Sequence, residues 1–387
     1  MKLSRIGQSL GESVTLKLNA TAAAMLKAGE PVIHLGGGEP KSKAPLSVIA
    51  DVNEILQTRE VRYSPAAGLP EMRDAVIKYT KEYYNIDIER KNTCVSSGAK
   101  QSLSAALQAL VDPGDEVVFP APYWVSYPDI VNICGGKSVA VHAEDGGLYP
   151  TFEDMKSAIN GKTKVVILNS PNNPSGVVYS EEFIKSMVEF CEKSDIFLIM
   201  DDIYHRLIFD NYERVSCYKF TTKKINESNI IVINGVSKQY AMTGFRIGWA
   251  VANPAIIEAI SNIQAHLTSG PNVLMQKAAI GAINGPQEGV TELAHQLELN
   301  RNVLVEEINK IPNVKLSMPR GTFYSFVDFS AYEKDSVKLA LDILEKVKVV
   351  TVPGVSFGMD GYLRISYCNS EKDIREGIQR IKKALEE

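Results

Sequence analysis

Two cations in one short stretch carry the first chemical signal. Lys238 and Arg246 lie in Asn234-Gly-Val-Ser-Lys-Gln-Tyr-Ala-Met-Thr-Gly-Phe-Arg-Ile-Gly-Trp249. The apolar run Ile230–Ile233 ahead of them reads as a buried strand. A lysine just past such a strand is desolvated, which disfavours its ammonium form and lowers its pKa. The neutral amine can then attack a carbonyl and form a Schiff base. Arg246, among small and apolar neighbours, calls for an anion, and its planar fork suits a phosphate. A snorkelling lysine and an ion-paired arginine would account for the same residues without any chemistry.

Other strand ends carry polar groups of the same kind. Asp201 closes the apolar run Ile196–Met200 and needs a cationic partner, which a protonated pyridine nitrogen would be; a plain strand-end cap serves as well. Ser97-Gly98-Ala99-Lys100 stands between a strand, Thr93–Ser96, and a helix reaching roughly Leu110. Free N–H groups and the positive end of the dipole converge at such a turn, although many turns of this kind bind nothing. Lys100 is a cation where the dipole disfavours one, which suggests an anionic partner; a solvated lysine is the plainer account. Asn173 sits in the Pro-bounded turn Asn169-Ser-Pro-Asn-Asn-Pro174 after the strand Lys164–Leu168, where ligands of α/β sheets bind. Arg364, in Tyr362-Leu-Arg-Ile-Ser-Tyr367, faces away from Leu363 and Ile365 and suits a carboxylate; a structural ion pair is the even alternative. Trp124 could stack on a heteroaromatic ring or pack in the core. Gly36-Gly37-Gly38 could let a backbone approach a ligand or simply make a tight turn.

The elements that would position these groups alternate in type. From about residue 45 to 285, strands follow helices in turn, which argues a parallel sheet covered by helices. One helix should turn Val48, Val52 and Ile55 inward. The next should open on Pro70 and bury Met72, Ala75, Val76 and Tyr79. Further helices are expected over Phe152–Ile159 and Ser180–Lys193, and further strands over Pro31–Leu35, Glu116–Phe119 and Lys137–Val141. After Gly285-Pro286 the pattern changes. A long polar helix over 288–310 leads to strand Val314–Ser317, helix Ser336–Val347 and strand Val349–Val352. A last helix places Ile374, Ile378, Ile381 and Leu385 on one face. An N-terminal helix, Leu18–Lys27, follows a polar arm. This pattern divides the chain into a large domain, 46–285, and a small one made of 1–45 and 286–387.

Composition excludes several classes. A chain of 387 residues with 45% hydrophobic and 23% charged residues is ordinary for a globular protein. A net charge of -4 gives no basic field for nucleic acid. Cys94, Cys134, Cys191, Cys217 and Cys368 form no CxxC pair, which argues against a metal centre or a disulfide framework and fits a reducing compartment. No secretory leader is legible, and no apolar run approaches the ~18 residues of a membrane span. A cytoplasmic protein without membrane or nucleic-acid partners is expected. No G-x-G-x-x-G follows a strand to suggest a dinucleotide.

The combination Ser-Lys-x4-Thr-Gly-Phe-Arg-x-Gly at 237–248 resembles the cofactor-lysine signature of pyridoxal-phosphate aminotransferases of the aspartate aminotransferase fold. The resemblance covers nearly the whole chain. It implies an α/β protein with a large cofactor-binding domain on a mostly parallel seven-stranded sheet, plus a smaller α/β domain. Lys238 would anchor pyridoxal 5′-phosphate and shuttle protons, with Asp201 on the ring nitrogen. Tyr204 and Asn173 would meet the phenolic oxygen, and Trp124 would lie on the ring beside the substrate. Ser97, Gly98, Ala99, Lys100, Ser237 and Arg246 would surround the phosphate, joined by Tyr63 from the other subunit of a homodimer. Gly38, Asn173 and Arg364 would take the α-carboxylate, and Lys100 the side chain of an acidic substrate. Lys41 and Lys43 stand where the family usually has acids, and Asp202 where it commonly has glutamate.

The implied reaction is a ping-pong transfer from an L-amino acid, aspartate first, to a 2-oxo acid, 2-oxoglutarate first. Aromatic or other donors and a β-lyase on the same fold are the alternatives, and a lyase needs no second oxo acid. Prephenate ranks lower, because Gly11 falls about where relatives that use it carry a basic residue. A regulator module ranks lower still: only about 40 residues precede the fold, with no helix-turn-helix pattern.

Overall fold

The computed structural model describes residues 3–10 and 14–386. In chain order its strands are β1 (Ile33–His34), β2 (Thr93–Ser96), β3 (Glu116–Pro120), β4 (Lys137–Val141), β5 (Thr163–Asn169), β6 (Phe197–Asp201), β7 (Ile230–Gly235), β8 (Gly248–Val251), β9 (Lys315–Leu316), β10 (Tyr324–Asp328), β11 (Val349–Val350), β12 (Val352–Pro353) and β13 (Tyr362–Ser366). Seven of them form the main sheet in the order β2-β8-β7-β6-β5-β3-β4. Strands β3 to β7 pair in parallel, while β8 runs antiparallel to both β2 and β7. The mostly parallel seven-stranded sheet expected from the sequence is therefore present.

Parallel strands buried on both faces read as unbroken apolar runs, and these strands do. Successive side chains point to opposite faces. Val166, Leu168, Leu198, Met200 and Val232 join Tyr79 and Trp249 in one core. Val165, Ile167, Ile199, Ile231 and Ile233 join Leu103 and Leu107 in another. The helix Pro70–Tyr84, with proline at its first turn, covers the first face. The helix Ala99–Leu110 covers the second.

The remaining strands build a four-stranded sheet, β12-β13-β10-β9, and a parallel pair, β1-β11. A third core gathers Leu293, Leu304, Phe329, Leu344, Ile374, Ile378 and Ile381, with Leu385 partly buried at its edge. Several boundaries differ from the sequence expectation. The strand Val349–Val352 divides at Thr351, because Val349–Val350 pairs with β1 and Val352–Pro353 with β13. The strand over 31–35 contracts to Ile33–His34; Pro31 brings no N–H to a ladder. The strand over 314–317 contracts to Lys315–Leu316. The N-terminal helix begins at Val14 rather than Leu18, and the long polar helix spans Glu288–Ile308. β8 was not anticipated at all, since four residues are too few to show a period.

The carboxyl ends of β5, β6 and β7 finish level, with Asn169 opposite Asp201 and Asp201 opposite Ile233. That edge is where the candidate residues collect. Among the described residues no helix is long and apolar enough to cross a membrane.

Candidate active site

A cavity of about 350 Å³ opens at the carboxyl ends of these strands. Eleven of the sequence candidates line it. Asp201, Tyr204, Asn173, Ser237, Lys238 and Arg246 come from strand ends and the turns after them. Ala99 and Lys100 come from the start of a helix, Trp124 and Gly38 from loops, and Arg364 from β13. Residues more than 300 positions apart in the chain thus share one wall, as Gly38 and Arg364 illustrate.

Lys238 follows β7 by a short turn, and its Nζ donates to the Gly38 carbonyl at 2.6 Å. Burial, aided by the positive charge of Arg364, lowers its pKa to about 8. The amine is therefore poised to act as a nucleophile or base near neutral pH.

Asp201 is 6% exposed. Its Oδ2 accepts from the Tyr127 hydroxyl at 2.7 Å, while Oδ1 has no hydrogen-bond partner. Burial raises its pKa to about 6, against the pull of the Tyr127 hydroxyl, the Ile203 N–H and the Lys238 charge. Asn169 braces the same corner: its Nδ2 donates to the Asp201 carbonyl at 2.7 Å, and its Oδ1 accepts from the Asn173 N–H at 2.8 Å. Burial holds the Tyr204 pKa well above its ordinary value, so the hydroxyl keeps its proton and can donate.

Arg364 is 6% exposed, yet its recorded partners are neutral. Nη1 donates to Asn173 Oδ1 at 3.0 Å and Nη2 to the Gly36 carbonyl at 3.2 Å, while Nε is buried without a partner. Its guanidinium lies 4.2 Å from the centre of the Tyr324 ring and 4.9 Å from that of Phe357. A buried guanidinium without a carboxylate is costly, so the pocket is incomplete without an anion.

The opposite end of the cavity is a cradle of backbone and cations. Gly98 caps the helix at φ 93, a backbone conformation that favours glycine. A Cβ there would come within 2.4 Å of Arg246 Nη2, and a Cβ at Gly248 within 2.2 Å of the Ala99 nitrogen. Arg246 Nη1 donates to the Thr243 carbonyl at 3.0 Å. Lys100 Nζ donates to Ser126 Oγ at 3.1 Å and sits 4.7 Å from the Trp124 ring centre. Burial and the nearby Arg246 lower the Lys100 pKa. Four cations, Lys100, Lys238, Arg246 and Arg364, thus face the cavity with neutral partners, against the single carboxylate of Asp201.

Three candidates lie off the cavity wall. Gly98 abuts it behind Arg246. The Ser97 N–H is taken by Gln101 Oε1 at 2.6 Å. Tyr63 is 91% exposed on the surface of the single chain. Lys41 and Lys43 are exposed. Gly11 lies outside the described residues. The cavity also holds residues that sequence reasoning left unassigned: Asn169, Thr243, Leu103, Ile203 and Tyr324, with Tyr127 behind Asp201. The motif Gly321-Thr-Phe-Tyr324 was a usable signal, since glycine followed by two aromatics between strands marks a close approach.

Residues 30–381 match the family described as Aminotransferase class I and II. A relative from Aquifex aeolicus, named "Probable aspartate/prephenate aminotransferase", is 37% identical over 98% of this chain and 97% of its own length. The aspartate aminotransferase of Bacillus subtilis is 36% identical over 100% of this chain and 99% of its own. The crystal structure of the Rhizobium meliloti aspartate aminotransferase superposes with a TM-score of 0.94 at 34% identity, covering 100% of this chain and 99% of that one.

Proposed function

This chain belongs to the aminotransferase class I and II family, and we propose that it transfers the amino group of L-aspartate to 2-oxoglutarate with pyridoxal 5′-phosphate as cofactor. One observation carries the reading. The buried Asp201 leaves Oδ1 without a partner on the same wall as a desolvated amine and cations with neutral partners. These groups match the ring nitrogen, aldehyde and phosphate of the cofactor, and the carboxylates of the substrate.

When bound, pyridoxal 5′-phosphate supplies an electron sink for the charge left at the substrate Cα. Lys238 Nζ would hold the aldehyde, and its amine, neutral near pH 8, would serve as the base and acid that moves the substrate Cα proton. Asp201 would hold the proton of the ring nitrogen. Tyr204 and Asn173 would donate to the phenolic oxygen, and Trp124 would cover the ring. Arg246, Ser237, the Ala99 and Lys100 N–H groups and the Ser97-Gly98 turn would hold the phosphate at a helix N-terminus. Arg364 and Asn173, with the Gly38 backbone, orient the α-carboxylate, and Lys100 receives the side-chain carboxylate. The names of the Bacillus and Rhizobium relatives and the position of Lys100 both favour aspartate.

In this reading residues 46–285 form the large domain, and 1–45 with 286–387 the small one. The active form is a homodimer in which Tyr63 of a second copy reaches the phosphate, which accounts for its exposure in the single chain. Five free cysteines suit a reducing, cytoplasmic setting. The test is direct. The purified protein, supplied with pyridoxal 5′-phosphate, should convert aspartate and 2-oxoglutarate to oxaloacetate and glutamate. Turnover of an amino acid without any second oxo acid would instead identify a lyase.

A further inference from the structure

Behind the cavity, on the opposite side of the β6 and β7 ends, lies a second polar cluster that the proposed reaction does not use. Its members are Asp202, Tyr84, Asn234, His205, Tyr79 and Gln239, all buried. Three of them directly follow a site residue in the chain: Asp202 follows Asp201, His205 follows Tyr204, and Gln239 follows Lys238.

Hydrogen bonds join every member of this cluster. The Gly235 N–H donates to Asn234 Oδ1 at 2.7 Å, which fixes the orientation of that amide. Asn234 Nδ2 therefore donates, to His205 Nδ1 at 3.0 Å and to the Tyr84 hydroxyl at 3.0 Å. Tyr84 in turn donates to Asp202 Oδ2 at 2.9 Å. His205 Nδ1 also lies 3.1 Å from the Asp202 carbonyl, and Nε2 faces the Tyr79 hydroxyl at 2.8 Å. Tyr79 then donates to Gln239 Oε1 at 3.0 Å, and Gln239 Nε2 returns to the Gly235 carbonyl at 3.1 Å. Burial and the charges of Arg214 and Arg206 outweigh the Asp202 carbonyl and lower the His205 pKa well below its ordinary value, so the imidazole is neutral. Its ring also stacks on Tyr84, with centroids 5.4 Å apart.

We propose that His205 is a positioning residue: as a neutral imidazole bridging Asn234 and Tyr79, it ties the turn that presents Tyr204 to the turn that presents Lys238. The inference rests on the aminotransferase reading for what those two residues do. The placement follows from the bonds, because neither turn can shift without breaking a buried hydrogen bond, and a buried donor left unmade is costly.

His205→Phe keeps the ring and its stacking and removes every hydrogen bond of the imidazole; His205→Gln can accept from Asn234 and donate to Tyr79. The readouts are the melting midpoint of the apoprotein, its Kd for pyridoxal 5′-phosphate, and kcat and KM with aspartate at saturating cofactor. For His205→Phe we expect kcat to fall and the cofactor Kd to rise by about tenfold each, with KM within about twofold, since one tenfold step corresponds to the loss of one or two buried hydrogen bonds. His205→Gln should recover most of both losses. Tyr79→Phe, which removes one hydroxyl from the bridge, should shift both in the same direction to a smaller extent and covers the case in which His205→Phe fails to fold. Three outcomes would overturn the proposal: a lowered melting midpoint with cofactor Kd and kcat unchanged, a glutamine variant as impaired as the phenylalanine one, or a Tyr79→Phe protein indistinguishable from the parent. If the parent moves no amino group at all, the proposed function fails, and the cofactor Kd series still judges the bridge.

Discussion

The two sides of the β6 and β7 ends carry polar side chains under opposite conditions. On the back, an unbroken series of hydrogen bonds links Gln239, Tyr79, His205, Asn234, Tyr84 and Asp202, so each of these side chains meets a partner. On the cavity side, Asp201 Oδ1 and Arg364 Nε are buried without partners, and four cations have only neutral ones. Both sides lie within one residue of each other along the chain. Folding alone would favour completing both, because an unpartnered buried polar group costs about 1 to 3 kcal/mol. That only one side is complete separates groups that hold the backbone from groups that await a ligand.

Breaking the cavity side should cost activity before stability. Lys238→Ala should lower turnover by about ten-thousandfold or more, since both the anchor and the proton shuttle disappear. Steady-state rates check this, and a variant with ordinary turnover would remove Lys238 from the mechanism. Asp201→Asn should lower kcat by about a hundredfold or more while making the apoprotein more stable at pH 7.5, by about 1 to 3 kcal/mol. The sign follows from its raised pKa. The folded state holds the Asp201 proton up to about pH 6, the unfolded state only to 3.8, so the wild-type contribution is full below 3.8 and lost as pH rises through 6. Urea melts of the apoprotein at pH 5 and 7.5 should therefore show a larger gain for the variant at the higher pH; an equal gain at both would deny that Asp201 titrates as described.

Arg364→Ala should raise KM for aspartate about 10- to 100-fold and leave the cofactor Kd within about twofold, the loss of a charge-assisted pair. Kinetics and equilibrium dialysis separate the two effects. The smallest change is expected from Lys100→Ala: kcat/KM for aspartate should fall about tenfold more than that for phenylalanine. Equal losses would show that Lys100 does not read the substrate side chain.

Much of the cavity side was legible because several of its residues stand just past a strand that an apolar run announces, as with Met200 before Asp201 and Ile233 before the Ser237-Lys238 turn. The back side was not. Tyr79 falls in an apolar helical stripe and is buried as that stripe predicts, but periodicity says nothing of where its hydroxyl points. Tyr84 and Asn234 meet across |i−j| = 150, a distance at which no local pattern operates. β8 was missed for a related reason: its four residues become a strand because β2 and β7 flank them, not through any preference of their own. Tyr127 and Asn169 act on Asp201 through geometry that only the closed sheet provides.

The tight crossing of Gly248 over the start of the Ala99 helix has a consequence for how this chain can vary. A single methyl there would collide with the Ala99 nitrogen at 2.2 Å and the Gly98 carbonyl carbon at 2.6 Å. All twenty amino acids introduced at position 248 and selected for growth should return one survivor, whereas the solvent-facing Lys41 should accept nearly any substitution. Mutational freedom around this cavity is therefore set by interatomic clearance, and a catalogue of tolerated changes would draw the outline of the cradle without a crystal.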